Sequence, residues 1–251
     1  MLGLKISLIT VSYNAERTIE RCIQSVIQQD HDNIEYIIID GASTDSTVAI
    51  VGQYKDHIST FVSEPDNGIY DAMNKGIALA QGNIIGILNA DDFFADNKVL
   101  STIAGAFAAN NPDIIYGDLD YVKTGGKVVR RWRSGQYKKG IFNLGWMPPH
   151  PTFYCKKELF NRYGNYSLHF GTAADYELML RFIHLNHSSV YYVQKVLVNM
   201  TIGGVSNKTY NSRIKSLFFD LKAMYNNKLL FPPMTIFFKP LRKIHQFLNF
   251  Q

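Results

Sequence analysis

The sequence predicts an α/β fold with a mostly parallel central sheet flanked by helices, and three observations carry that expectation. Short β-branched runs alternate with amphipathic segments of about a dozen residues through the first half of the chain. Polar and acidic residues recur directly after those runs, at what would be one edge of the sheet. The length of 251 residues, 46% of them hydrophobic and 19% charged, suits one large globular domain with or without a tail and argues against disorder.

Residues 5–11 form a short β-branched run and read as a buried strand. Ile19, Cys22, Ile23, Val26 and Ile27 follow at spacings of three and four, which places them on one face of a helix. A second strand over residues 36–39 ends at Asp40, and residues 44–54 read as a helix that Ser43 or Thr44 can cap. Residues 58–63 form a third strand, and 71–80 a helix closed by Gly82. The fourth strand, 84–88, runs straight into Asn89-Ala90-Asp91-Asp92; a helix at 98–109 and a strand at 113–116 complete this half.

In parallel sheets covered on both faces, ligands bind outside the carboxyl ends of the strands. Asn14 follows the first strand, Asp40 ends the second, Glu64 and Asp66 follow the third, and Asp91 and Asp92 follow the fourth. Chemistry-bearing groups therefore collect on one rim.

The pattern changes after about Gly117. Strands are expected at 128–133, 152–155 and 191–198, and helices at 157–163 and 175–183, in a smaller mixed region rich in Gly, Trp and Tyr. From Lys208 onward a helical tail carries Arg213, Lys215, Lys222, Lys228, Lys239, Arg242 and Lys243 among many Phe, Leu and Ile. Ile214, Leu217, Phe218 and Leu221 recur at helical spacing, as expected of an interfacial amphipathic helix drawn to anionic lipid. A C-terminal helix packed on the domain is the alternative. Phe231-Pro232-Pro233-Met234 should break that helix before a second apolar patch at 236–238.

The net charge of +5 points to an acidic partner, for which nucleotide diphosphates, nucleic acid and anionic lipid all qualify. The two cysteines, Cys22 and Cys155, lack metal-ligand spacing and offer no disulfide framework. Lys5 interrupts the first apolar stretch with no cleavage site after it, and no apolar run approaches the roughly 18 residues of a spanning helix. A cytoplasmic protein is expected, peripheral on the cytoplasmic face of the inner membrane if the tail binds lipid.

Asp91-Asp92 after an apolar strand suits a hard divalent cation, Mn²⁺ or Mg²⁺, held by one or two carboxylates together with substrate phosphate oxygens. The same pair also suits an acidic helix N-terminus. Asp40-Gly41-Ala42-Ser43-Thr44-Asp45 joins a strand to a helix, and it can either meet a base or ribose or simply shape the turn. Asp175, near a helix start, can take a proton from an acceptor hydroxyl or serve only as a helix-terminal acid. His150 lies between prolines in Met147-Pro148-Pro149-His150-Pro151 and is a candidate metal or phosphate contact.

Taken in order, Thr10-Val11-Ser12-Tyr13-Asn14, residues 40–45, residues 63–76, Leu88-Asn89-Ala90-Asp91-Asp92, residues 150–154 and Ala174-Asp175-Tyr176-Glu177 resemble the family 2 glycosyltransferases with the Rossmann-like GT-A fold. The resemblance covers about residues 4–200. The stretch from Ser63 to Gly76 resembles a subgroup associated with bacterial surface-polysaccharide assembly, including O-antigen and lipopolysaccharide transferases.

That resemblance implies a GT-A domain over residues 1–207, with a nucleotide-binding half to about 117, an acceptor half to 207, and the tail from 208 to 251. It implies that Tyr13 and Asp40 bind the nucleobase, with Thr10, Val11 and Asn14 lining the same pocket through their backbone and Asp66 contributing to nucleotide-sugar binding. Asp91 would contact ribose or the metal shell, Asp92 would be the principal metal ligand, and Asp175 would be the general base of an inverting displacement. Lys75 and Arg181 would add phosphate or acceptor contacts. The donor would be a UDP-hexose or UDP-N-acetylhexosamine, and the acceptor a lipid-linked saccharide.

Two positions depart from the family's pattern. Ala174 stands where a Glu usually precedes the base, and the metal motif opens with Asn89. A nucleotidyltransferase would share the sheet and the carboxylate pair, but it needs a basic Gly-rich loop after the first strand, where this chain has Ser12-Tyr13-Asn14-Ala15-Glu16. Nucleic acid is not an expected partner, because the basic residues concentrate in a tail without a nucleic-acid motif.

Overall fold

A computed structural model describes residues 4–202 and 210–248. The expected alternation is present. β1 (Ile6–Ser12), α1 (Ile19–Ile27), β2 (Ile34–Asp40), α2 (Thr47–Gly52), β3 (Thr60–Ser63), α3 (Ile69–Leu79) and β4 (Ile84–Ile87) follow one another along the chain. β5 (Asp92–Phe94), α4 (Val99–Asn110), β6 (Ile114–Val122), β7 (Val128–Trp132), β8 (Tyr154–Lys156), α5 (Lys157–Tyr163), α6 (Ala174–Met179) and β9 (Val190–Thr201) come next. α7 (Tyr210–Asn226) and α8 (Pro232–Leu248) close the fold.

Among the described residues the strands form one sheet in the order β3-β2-β1-β4-β8-β6-β9-β5, with β7 pairing Leu119–Val122 of β6 beyond the short β8. β3, β2, β1 and β4 are parallel neighbours, and the apolar side chains of β2, β1 and β4 are buried on both faces, which is why these three read as continuous hydrophobic runs, whereas the edge strand β3 leaves Phe61 exposed. The expectation of a mostly parallel sheet holds for this part only. β8 joins β4 and β6 antiparallel, β5 pairs antiparallel with β9, and β6 runs parallel to β9. The fifth strand of the sequence pattern therefore does not extend the parallel set. It is longer than expected and lies beyond β8, because β8 occupies the free edge of β4. The sheet spans both expected halves, and β6 itself crosses their boundary near residue 117.

Local differences have local causes. The second helix begins at Thr47, because the Asp45 carboxylate accepts from the Thr47 amide at 2.9 Å and from its hydroxyl, replacing the expected Ser43 or Thr44 cap. Pro232-Pro233 opens α8 instead of merely ending α7, since proline lacks only an amide that a helix's first turn leaves unbonded anyway. Asp92 starts a short strand, β5, where an acidic helix terminus was the alternative.

The tail packs on the domain. Phe219 of α7 lies over Gly171, where a Cβ would stand 2.5 Å from its ring, and the Lys222 ammonium donates to the His169 carbonyl at 3.1 Å. From α8, the backbone of Lys239 abuts Gly145, and the Lys239 ammonium pairs with Asp220 at 2.8 Å while sitting 3.8 Å over the Tyr176 ring. The boundary expected at 207/208 and the Arg213 side chain lie outside the described residues.

Candidate active site

The register of the parallel strands builds the rim. Ser12, Asp40 and Ser63 stand level at the ends of β1, β2 and β3. Asp40 is fully buried, and both its oxygens accept from within the protein: from the Ser12 hydroxyl at 3.0 Å, the Ser63 hydroxyl at 2.7 Å, and the Ser43 amide at 2.8 Å and hydroxyl. With its acceptor capacity filled, Asp40 braces the β1 and β2 loops, and a direct grip on a nucleobase is not what this arrangement offers. Asn14 does similar work. In the left-handed region at φ 48°, it donates its amide to the Ser43 hydroxyl at 2.8 Å and accepts from the Thr44 amide at 2.9 Å.

Thr10 and Val11 are core residues. The Thr10 hydroxyl meets Tyr36 at 3.1 Å and the Cys22 sulfur at 3.8 Å, because a central strand covered on both faces sends every side chain into a helix layer. Any nucleotide contact from these two would have to come through backbone. The side chains that remain available are Tyr13, 65% exposed, and Asp66. A Cβ on Gly41 would stand 2.5 Å from Asp66 Oδ2 and 3.4 Å from the Tyr13 ring, so the missing side chain is what lets these two converge. If this pocket takes the expected nucleotide, Gly41→Ala should displace Asp66 and weaken UDP binding about tenfold, about 1.4 kcal/mol, with the fold intact. Titration calorimetry on the variant tests this, and unchanged affinity would remove Asp66 from the pocket.

Lys75 on α3 is committed to its own loop. Its ammonium meets Glu64 at 2.8 Å and the Pro65 carbonyl at 2.8 Å, with Glu64 holding its pKa above the usual value. It shapes the 63–71 segment in place of the expected phosphate contact.

At the end of β4, Asn89 donates to Asp92 Oδ2 at 3.4 Å. The Oδ1 atoms of both Asp92 and Asn89 are buried with no protein partner. Burial, and then the charge of Asp91, push the Asp92 carboxyl far above its ordinary range; burial also raises Asp91. An unpaired carboxylate so placed is costly unless a cation joins it. This donor set, two carboxylates with no third acid or imidazole among the described residues, fits Mg²⁺ or Mn²⁺ completed by phosphate oxygens and water. Arg21 of α1, which sequence reasoning passed over, lies here too, 4.2 Å over the Phe93 ring and bonded to Thr201 at 2.6 Å. It is half-buried, and a lone Arg between Glu20 and Cys22 carried no signal in the sequence.

Asp175 opens α6, amid a second group of residues. The Tyr70 hydroxyl donates to the Thr172 carbonyl at 3.4 Å, and burial first and then the nearby Asp175 charge push its pKa up, so it remains a neutral donor. Tyr166 stacks against Tyr70 with ring centroids 5.6 Å apart and meets His150 Nε2 at 2.8 Å. Burial lowers the His150 pKa despite the pull of Asp175. The structure thus brings His150 to the base and to Tyr166, and joins it to neither Asp91 nor Asp92 by any contact. A metal-ligand role for it is not supported, because among the described residues no third acid or imidazole joins Asp91 and Asp92, and Nε2 is taken by the Tyr166 hydroxyl.

A buried brace holds α6. Glu177, 1% exposed, accepts from Arg181 through both oxygens at 3.0 and 2.9 Å, and Arg181 also donates to the carbonyls of Tyr163, Gly164 and Asn165. Arg181 is therefore structural, where an acceptor or phosphate contact was expected. Arg181→Ala should strand the Glu177 charge and cost about 3–5 kcal/mol. A fall in the urea midpoint at constant slope would show it, and an unchanged midpoint would refute it. Ala174 is fully buried, so no acid precedes the base at the surface of the site.

The sequence profile described as glycosyl transferase family 2 matches residues 7–173, which span both the rim and the β4 carboxylates. An uncharacterized glycosyltransferase of Mycobacterium tuberculosis is 33% identical over 189 residues, covering 70% of this chain and 68% of that one. The PGL/p-HBAD biosynthesis glycosyltransferase of Mycobacterium bovis is 26% identical over 212 residues, covering 80% and 78%. Among solved structures, Staphylococcus aureus TarS 1–349 in complex with UDP superposes with a TM-score of 0.67 at 18% identity, covering 98% of this chain and 71% of that one. The mannosyltransferase PcManGT from Pyrobaculum calidifontis, in complex with GDP-Man and Mn²⁺, gives 0.68 at 18% identity, covering 96% and 70%. These likenesses show the GT-A glycosyltransferase fold. With the family match spanning most of the chain, this protein belongs to glycosyl transferase family 2 and is a glycosyltransferase.

Proposed function

We propose that the chain is an inverting, metal-dependent hexosyltransferase that moves a sugar from a UDP-linked donor to a lipid-linked saccharide in surface-polysaccharide assembly. The observation that carries this reading is the buried, unpartnered carboxylate of Asp92 beside Asp91, on the same sheet edge as the Tyr13–Asp66 pocket. Asp92 and Asp91 would hold the metal, which as a Lewis acid stabilises the departing diphosphate. The complexes with UDP and with GDP-Man and Mn²⁺ among the similar structures support a nucleotide-sugar donor and a metal.

Tyr13 would stack on the base while Asp40, Ser43 and Asn14 hold its loop. Asp175 would accept the acceptor hydroxyl's proton as that oxygen attacks the anomeric carbon and the bond from that carbon to the diphosphate oxygen breaks. One base and one leaving group suffice for a single displacement, which inverts the centre. Tyr70, partly exposed and backed by the buried ring of Tyr166, offers a face beside Asp175 on which an acceptor sugar can rest.

The tail supports work at a membrane surface. No helix among the described residues is long and apolar enough to cross a bilayer. Yet α7 leaves Ile214, Leu217, Phe218 and Tyr225 exposed at helical spacing, and α8 leaves Phe237, Leu241 and Ile244 exposed. Ile236, expected in the same patch, instead packs toward the core. Phe218→Ser with Phe237→Ser should cut co-sedimentation with phosphatidylglycerol vesicles several-fold, because each removes an exposed aromatic ring that would insert among the lipids; equal sedimentation would sink the membrane reading.

Calorimetry with UDP and GDP, with and without Mn²⁺, tests the whole reading. Metal-dependent binding of UDP is the expected result, and absence of binding to either nucleotide would overturn it.

A further inference from the structure

A cavity of about 290 Å³ opens between β7, the Gly145–Met147 loop and α8. Five of its lining residues are cations: Arg131, Arg133, Lys239, Arg242 and Lys243. Arg133 is neutralised by Asp120 at 2.6 Å and Asp118 at 3.8 Å, and Lys239 by Asp220 at 2.8 Å. Arg242 and Lys243 have no ion pair or hydrogen bond among the described residues, although they stand one residue apart and share the cavity. Crowding by protein atoms pushes both pKa values down, and Lys239 and Arg130 push Lys243 further. The carboxylates nearby are thus engaged by Arg133 and Lys239, and Arg242 and Lys243 add positive charge to the cavity without an ion pair of their own among the described residues.

The cavity borders the reacting centre. Lys243 feels the charge of Asp175, and Lys239 lies over the ring of Tyr176, the next residue. It lies on the acceptor side, apart from the Tyr13–Asp66 pocket, with which it shares no residue. α8 adds a second feature. Lys239, Arg242, Lys243 and Gln246 recur at helical spacing on the face toward the cavity. At 100° per residue, Phe237, Leu241 and Ile244 fall on the opposite face, exposed. A helix is about 10 Å across, so an anion in the cavity would stand one helix width above a lipid surface seated on that apolar face.

We propose that this cavity binds the phosphate or diphosphate that links the saccharide acceptor to its lipid, with Arg242 and Lys243 as the anion contacts. The proposal rests on the transferase reading and names the chemistry of its acceptor. Charge-assisted bonds to phosphate from a guanidinium and an ammonium are the strong kind, and an anion would relieve the repulsion between Lys243 and its cationic neighbours.

The chain's only two tryptophans, Trp132 and Trp146, both line the cavity, so intrinsic tryptophan fluorescence reports on this site directly. The probes are farnesyl diphosphate and inorganic pyrophosphate, titrated without metal, with UDP binding followed separately by calorimetry in Mn²⁺. Farnesyl diphosphate should give a saturable change, and its affinity should fall at least tenfold in R242Q and in K243Q. Both variants should melt with the wild type and keep its UDP affinity, as should the K215Q control. Tighter binding of farnesyl diphosphate than of pyrophosphate supports a lipid-linked source; equal binding of the two overturns the lipid source. No saturable change, or undiminished affinity in both variants, overturns the site. UDP affinity lost in R242Q or K243Q would make the cavity part of the donor site and overturn the proposal. Loss of UDP binding by the wild type would instead overturn the transferase reading, so the two failures are distinguishable.

Discussion

Asp175→Asn is expected to lower kcat by about 10²–10⁴-fold while leaving the Kd for UDP nearly unchanged. Asparagine keeps the shape of the side chain and its bond to the Tyr176 amide, 2.7 Å in the wild type, so α6 should start in the same place. What it loses is the ability to accept a proton. The Tyr13–Asp66 pocket is built from residues other than Asp175, so the donor should bind as before. A variant that turns over normally would remove Asp175 from the mechanism. A variant that fails to bind UDP would show that the aspartate is structural. Tyr70 gives a companion measurement: Tyr70→Phe deletes a neutral donor within reach of the carboxylate, and should shift the pH profile of kcat where a merely structural loss would not.

Asp92→Asn should abolish the Mn²⁺-dependent part of UDP binding and, at the same time, stabilise the metal-free protein. The two effects have one cause. The carboxylate is buried and one oxygen has no partner, so ionising it in the absence of a cation works against folding. An amide carries no charge, and its nitrogen can donate to Asn89 Oδ1, the other buried acceptor without a partner. The gain should be about 1–3 kcal/mol, which for a chain of this size raises Tm by roughly 2–4 °C per kcal/mol. Melting curves in EDTA and titrations in Mn²⁺ read the two halves separately. A variant less stable than wild type in EDTA, or one that keeps its metal dependence, would contradict the assignment of Asp92 as a metal ligand. A residue that is destabilising alone and needed for activity is the pattern expected of a functional site.

The parallel part of the sheet was legible because its strands are buried on both faces, which writes runs such as Ile37-Ile38-Ile39 into the chain, and because amphipathic helices such as α1 separate them. The rim followed from the same reading, since parallel strands end on one edge whatever their order. Roles were less legible than positions. Asp40, Lys75 and Arg181 carry the charges a substrate needs, yet each is used up inside the protein: by three serines, by Glu64, and by Glu177 with three carbonyls. A residue type announces what it can bind, whereas its neighbours decide what it does bind, and those neighbours are distant in sequence.

The sequence by itself determined the fold class, the family and the edge of the sheet where chemistry collects, because hydrophobic periodicity and short motifs are local properties of the chain. Only the tertiary structure decided that β8 interrupts the parallel order, since strand pairing is settled by long-range register. It alone decided that the tail packs on the domain as a wall beside Asp175. α7 and α8 earn their place through contacts with Gly171, Gly145 and Tyr176, made across dozens of intervening residues. Burial works the same way: the unpaired oxygen of Asp92 and the clustering of Arg242 and Lys243 with other cations exist only once packing has removed water from one and brought β7 and α8 together around the others.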